Sequence, residues 1–271
     1  MSNHPHTTND SMASVTSGTG SASRESMGAE PAAPFRTTPV VDKSVGTEAI
    51  DSFEETSQLA PSPLTHCFDK EHYKAMKAQL KERVGKRRYK HSVGVAKTAK
   101  KMAKVYGLDP EQARMAGLVH DWDKCYRGEE STQRALDLGL EIDSAILYEM
   151  PWLLHGPTAA LALSREFPEW GAETFQAIER HTCGAADMSP LDCIIYVADI
   201  IEPGRDYGPG SGLDELRALV GEVPLQELYY QAFKFTLRYL LEGDRRMFPG
   251  TAEIYNVLIV QHAQWSGIAT R

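Results

Sequence analysis

The sequence predicts an all-α helical bundle, and three observations carry that prediction. From Phe68 onward apolar residues recur at helical spacing, the runs are bracketed by helix start and stop residues, and no alternating, strand-like class of segment intervenes. A first helix opens at Asp69, a side chain suited to capping, and continues through Leu80. A second spans about Arg88 to Tyr106. Val93, Val95, Ala96, Ala99, Met102, Ala103 and Tyr106 form its apolar side, and Lys97, Lys100, Lys101 and Lys104 its solvated side. Gly107 stops it. Asp109 with Gln112 three residues later has the spacing of a capping box, and Pro110 suits a first helical turn, so a third helix leads into His120-Asp121. Similar signals predict helices over 131–138, 157–167, 173–181, 190–201, 224–241 and 249–262. The run Cys193 to Ala198 has the content of a buried strand, but Pro190 after Ser189 and the length to Glu202 favour a helix.

The 271 residues are 42% hydrophobic and 24% charged, enough for one sizeable core with material to spare. The spare material is residues 1–65, rich in Ser, Thr, Gly, Ala and Pro and without helical or strand period, which predicts a disordered tail ahead of a domain over 66–271. Of the net charge of -8, that tail supplies about -5: Arg24, Arg36 and Lys43 stand against eight carboxylates. Neither part offers the basic surface that a long nucleic acid requires. Cys67, Cys125, Cys183 and Cys193 show no metal-binding or disulfide spacing, and they read as reduced thiols. With no secretion signal and no apolar run approaching eighteen residues, the expectation is a cytoplasmic protein without a membrane partner. A homodimer is compatible with the sequence, which does not set the oligomeric state.

The chemistry gathers around His120-Asp121, the one adjacent His-Asp pair in the chain. His91, His155, His181 and Asp199 each lie on or beside an apolar helical run. A polar donor facing a helix-packed interior needs a partner, because burying it unpaired costs several kcal/mol, on the order of what a lost hydrogen bond costs in an apolar medium. Six such donors could satisfy one another through metal. Imidazole and carboxylate suit borderline and hard divalent cations, and six are too many for one zinc-like centre with an open position. The expected arrangement is two metals bridged by Asp121, with His91, His120 and Asp199 on one side and His155 and His181 on the other. Such a pair activates a hydroxide and polarises a phosphoryl oxygen, which points to phosphoester or phosphoanhydride hydrolysis. Lys124, one helical turn past His120, and Arg205, beyond the Asp199 helix, are the cations expected to meet the phosphates. Asp123 is expected either to support the site or to be solvated, Cys183 to be turned away from His181, and Trp152, Trp170 and Trp265 to be core or packing residues, with stacking on a base as the alternative for an aromatic near the metals.

The order His91, His120-Asp121, Asp199 resembles the HD-domain metal-dependent phosphohydrolases. The runs Arg88 to Val95, His120 to Lys124, Leu154 to Pro157, His181 to Gly184 and Tyr196 to Arg205 resemble in particular the YqeK-type branch, the symmetrical bis(5'-nucleosyl)-tetraphosphatases. The resemblance covers about Tyr73 to Trp265. It implies an all-α HD fold, a di-iron-type centre with manganese as the alternative metal, and hydrolysis of diadenosine tetraphosphate to two ADP through a metal-activated hydroxide. His91, His120, Asp121, His155, His181 and Asp199 match the metal ligands of that branch, Asp121 and Lys124 its catalytic residues, and Lys124 and Arg205 its phosphate-side cations. Asp123 and Cys183 depart from its usual pattern. Two rival expectations stand beside it: a nucleotidase or nucleoside triphosphatase of other specificity, and a non-catalytic nucleotide sensor.

Overall fold

A computed structural model describes residues 67–266, except for the side chains of Trp265 and Ser266. The disorder expected over 1–65 and the packing role expected of Trp265 therefore lie outside the described residues. The described chain carries eleven α-helices and no strand: α1 Lys70–Arg83, α2 Lys86–Tyr106, α3 Pro110–Val119, α4 Glu129–Asp137, α5 Ser144–Glu149, α6 His155–Glu166, α7 Ala172–Arg180, α8 Pro190–Ile201, α9 Leu213–Ala218, α10 Leu225–Glu242 and α11 Thr251–Ser266. Single 3₁₀ turns lie at Pro151–Leu153 and Pro168–Trp170.

The helix signals act as their chemistry requires. Asp69 accepts from the His72 amide at the start of α1. Gly107 ends α2 in a left-handed conformation with φ of 75°, which costs glycine little. Ser189 and Asp192 close a reciprocal capping box on α8. The box expected at α3 forms only by half. Asp109 accepts from the Glu111 and Gln112 amides, but the Gln112 side chain instead donates to Thr174 Oγ1, tying α3 to the start of α7. Helices α5 and α9, six residues each, are shorter than two helical turns and were not predicted.

Two hydrophobic clusters share the middle helices. Val95, Ala99 and Met102 of α2 join Ala113 and Ala116 of α3, nearly all of α8, and Leu228, Tyr229 and Phe233 of α10 in the larger cluster. Ala96 of α2 and Met115 and Leu118 of α3 face the other way, onto Tyr73, Met76 and Leu80 of α1, Ala159 and Leu163 of α6, and Trp170. Helices α2 and α3 are thus held from both sides. Trp170 is fully buried, as expected, whereas Trp152 is 48% exposed and is not a core residue.

Small residues let α2 and α3 approach closely. A Cβ on Gly117 would stand 3.1 Å from the Ala96 Cα and 3.2 Å from the Ala99 Cβ. Because α2 carries His91 and α3 leads into His120-Asp121, this contact also fixes the spacing of those donors. Gly117→Val should overpack it, lowering stability by about 1–3 kcal/mol in chemical denaturation. The same variant should also bind divalent metal more weakly than the parent, as read by competition with a chelator.

Candidate metal centre

The six donors converge at one end of the bundle, where α3, α7 and α8 finish and α6 begins. His120 is the residue after α3, His181 the residue after α7, His155 the first of α6, and Asp199 lies in the last turn of α8. His91 projects from the second turn of α2.

Three of the four imidazoles use one device. His120 Nδ1 lies 2.8 Å from the Gly117 carbonyl, His155 Nδ1 2.8 Å from that of Trp152, and His181 Nδ1 2.7 Å from that of Ile178. Each acceptor sits three residues back, and those of His120 and His181 lie in the last helical turn, where carbonyls lack their usual partners. A carbonyl only accepts, so Nδ1 carries the proton in each ring and Nε2 is turned inward. His91 reaches the same state differently, with Nδ1 3.0 Å from Glu202 Oε1. Anchoring one ring nitrogen on a carbonyl or carboxylate is how proteins orient metal-ligating histidines.

Asp121 stands between two groups of Nε2 atoms. Its Oδ2 is 3.1 Å from His120 Nε2 and 3.7 Å from His91 Nε2. Its Oδ1 is 3.2 Å from His155 Nε2 and 3.9 Å from His181 Nε2. Asp199 Oδ1 lies 2.8 Å from His91 Nε2 and 3.6 Å from His120 Nε2. The donor atoms of His91, His120 and Asp199 lie within 4.8 Å of one another, as do those of His120, Asp121 and His181, so either group could hold a metal ion. His155 falls outside these two tight sets, yet its Nε2 is 3.0 Å from that of His181, which keeps it at the same centre.

The donor atoms also behave as if a cation belongs among them. His120 Nε2 is fully buried and has no hydrogen-bond partner in line. Burial would depress the His120 pKa, but the Asp121 and Asp199 carboxylates outweigh it and raise it to about 9. Burial likewise opposes ionisation of Asp121, yet the imidazoles around it hold its carboxyl well below the usual range. Arg205 and the imidazoles of His120 and His91 do the same for Asp199. Burial keeps His181 well below its ordinary value, with help from His120 and His155, and lowers His155 with help from Lys124. A proton on His120 therefore stands where the donor set calls for positive charge.

Around this centre lie the two expected cations. Lys124 Nζ approaches the His155 ring, 3.2 Å from Nε2, although residues 120–125 form turns and not the helical continuation the sequence suggested. Burial lowers the Lys124 pKa. Arg205 donates from Nη2 to Asp199 Oδ1 at 2.6 Å and from Nε to the Asp199 carbonyl at 2.9 Å. Asp123 is neither a support of the site nor solvated: it is buried and ion-paired with Arg83 at 2.5 Å and Arg134 at 3.0 Å. Cys183 is not turned away, for it lines the cavity beside His181 and Thr182, and burial pushes its thiol up to about 12.

Four residues at the site carried no individual role in the sequence reading. Glu202, 4% exposed, holds His91 and also accepts from the Gly204 amide at 2.7 Å. Arg217 locks the turn beyond it through the carbonyls of Ile201, Glu202 and Arg205. Arg88 pairs with Asp121 Oδ2, and the Thr182 hydroxyl lies 3.0 Å from His181 Nε2. The available signal for Glu202 was a carboxylate three residues after Asp199, at the end of an otherwise apolar helix. Gly94 makes room for it, since a Cβ there would collide with the Glu202 carboxylate.

The family model described as HD domain matches residues 88–204. A symmetrical bis(5'-nucleosyl)-tetraphosphatase of Bacillus subtilis is 34% identical over 182 residues, covering 67% of this chain and 95% of that protein. Its namesake from Halalkalibacterium halodurans is 31% identical, covering 67% of this chain and 94% of its own. The chain belongs to the HD-domain family. A crystal structure of a predicted HD superfamily hydrolase involved in NAD metabolism, from Clostridium acetobutylicum, superimposes on this HD-domain protein with a TM-score of 0.63. That structure is 35% identical, and the match spans 70% of this chain and 97% of the other. The matched HD segment contains all six donors together with Lys124 and Glu202, and it ends one residue before Arg205.

Two outcomes follow from this geometry. Glu202→Ala should weaken divalent metal binding about 10–100-fold by freeing the His91 ring, while the helical circular dichroism stays unchanged. A cation and a proton compete for His120 Nε2, and the proton is bound below about pH 9. Metal affinity should therefore rise with pH toward 9, and at pH 7 metal uptake should expel protons, read by calorimetry in buffers of different ionisation enthalpy.

Proposed function

We propose that the protein hydrolyses dinucleoside tetraphosphates symmetrically, converting diadenosine tetraphosphate to two ADP, with two divalent cations bound by His91, His120, Asp121, His155, His181 and Asp199. The observation that carries this reading is the convergence of four inward-facing Nε2 atoms on a carboxylate whose two oxygens face different pairs of them. That division supports a grouping of His91 and His120 on one side of Asp121 and of His155 and His181 on the other. The names of the bacterial relatives supply the substrate, and they do not favour a triphosphatase or a binding-only sensor.

Nitrogen and oxygen donors without thiolate suit iron, with manganese as the alternative. Bound there, such ions would supply an acidified water as nucleophile and polarise the phosphoryl oxygen under attack. The chain's own residues do the rest. A cavity of about 610 Å³ opens on the donors, and Lys124, His181, Asp199 and Arg205 all line it. Lys124 and Arg205 bring fixed positive charge to where the phosphoryl group gathers negative charge, and the buried surroundings of Lys124 strengthen that attraction. Arg205 is held by Asp199 and by the turn that Arg217 locks, so it meets the polyphosphate already oriented. No helix among the described residues is long and apolar enough to cross a membrane. Cys125, Cys183 and Cys193 form no disulfide, as thiols in a reducing cytoplasmic setting would.

Incubating reduced, iron-loaded protein with diadenosine tetraphosphate should yield ADP as the sole nucleotide product by chromatography. Asp121→Ala should lose both bound metal and turnover. Lys124→Ala should keep the metal and lose about 10²–10³ in kcat. ATP plus AMP as products, or no turnover by protein that retains its metal, would sink the reading.

A further inference from the structure

Resting on that reading, we infer that Arg217 of α9 is a positioning residue for both sides of the centre. By holding the turn after α8 it sets how firmly Glu202 grips His91, and with it the metal affinity, and it sets where Arg205 stands before the phosphates. Arg217 is not among the residues that line the cavity opening on the donors, and it lies outside the matched HD segment, which ends at residue 204. What it touches is backbone. Helix α8 is capped by Glu202 at φ -54° and ψ 146°, without the left-handed glycine that ends α2, and Pro203 cannot continue the helix. The carbonyls at such an end need donors from elsewhere. Arg217 supplies them, from Nε to the Ile201 carbonyl at 3.0 Å and from Nη2 to the carbonyls of Glu202 at 3.1 Å and Arg205 at 3.2 Å. A guanidinium there also meets the negative end of the helix dipole.

The turn held in this way carries two working side chains. Glu202 Oε1 lies 3.0 Å from His91 Nδ1, and Arg205 Nη2 donates to Asp199 Oδ1 at 2.6 Å. Without the Arg217 fork three carbonyls lose a donor and the turn can shift. A shift there frees the His91 ring, which weakens the metal site, and moves the Arg205 cation away from its place. The remaining bond of Arg217, from Nη1 to Asp214 Oδ1 at 3.0 Å, faces solvent, with the Asp214 side chain 90% exposed, and an exposed pair of this kind contributes little. Arg217 itself is 31% exposed and walls the neighbouring cavity of about 320 Å³. A small guanidinium ion can therefore reach the place that a truncated Arg217 vacates.

The test titrates manganese into the full chain against a chelator, and measures turnover of diadenosine tetraphosphate at saturating manganese. Arg217→Ala should bind manganese about tenfold more weakly and lose about tenfold in kcat/KM, and added methylguanidinium should restore most of both. Arg217→Lys, a point charge without the fork, should fall between Arg217→Ala and the parent, and Asp214→Asn should match the parent. Because Arg217 acts through Glu202, adding Arg217→Ala to Glu202→Ala should weaken manganese binding no further. Parent-like manganese affinity in Arg217→Ala, or losses that add in full in the double variant, would overturn the metal side of the inference. Parent-like kcat/KM would overturn the phosphate side, and losses that methylguanidinium leaves in place would make Arg217 an ordinary packing residue and overturn both. Should Arg217→Ala not fold, Arg217→Lys carries the same two readouts, and parent-like values in it would overturn the inference. No turnover by the parent itself would remove the proposed function and the phosphate side with it, while the manganese titration would still judge the metal side.

Discussion

The hydrogen bond from an imidazole Nδ1 to the carbonyl three residues earlier is the constraint on which this centre depends. It occurs at His120, His155 and His181. At His120 and His181 it uses a helix-terminal carbonyl that would otherwise have no partner, so the end of the helix and the orientation of the donor are settled by one contact. It also decides the tautomer, leaving Nε2 as the atom offered to the interior. A ring held in this way can swing away only by orphaning a carbonyl again. The fourth ring, His91, sits inside a helix where every carbonyl is already engaged, so it needs a side-chain acceptor, and Glu202 supplies one from the end of α8.

Burying two carboxylates and four imidazoles together is stable only if positive charge accompanies them. The chain itself supplies part of it: Asp121 and Asp199 draw a proton to His120, Arg88 stands against Asp121, and Arg205 against Asp199. The C-terminal ends of α3, α7 and α8 add partial negative charge at the same spot, which further favours a cation. Lys124 contributes differently. It touches the His155 ring instead of a carboxylate, so no ion pair within the centre holds its ammonium away from a phosphate.

Much of this was legible in the sequence, and the reasons differ by element. Helices α2 and α8 carry unbroken apolar patterns with clear ends, so their place and type could be read directly, and the six donors stood out because each interrupts or closes such a run. Helices α5 and α9 were hidden because six residues are too few to display a period. The mismatch at Asp123 has another cause. A carboxylate two residues past Asp121 looks like part of the same site, but Arg83 and Arg134 arrive from α1 and α4 to claim it, and no local pattern announces partners so far along the chain. For Trp152 the core role fails, because this ring lines the cavity, and no local pattern tells such a tryptophan from the buried Trp170. The Nδ1 anchors were beyond reach, since they depend on where each helix stops to the residue.

The division of labour between segments explains how such a centre can stay fixed while its substrate is set elsewhere. Residues 88–204 contain the donors, held between two hydrophobic clusters that grip α2 and α3 from opposite sides. Moving any donor there disturbs a packed interface. The cavity wall is drawn largely from α10, the turn after Arg205 and the segment between α10 and α11, which lie outside that stretch and include exposed residues such as Tyr239, Arg245 and Arg246. The exposed side chains of that wall, Tyr239, Arg245 and Arg246, can change without disturbing the Nδ1 anchors or the two cores, whereas Phe233, Phe235 and Phe248 belong to the larger core. The donors and the exposed part of the wall meet at Arg205, which binds Asp199 on one side and lines the cavity on the other.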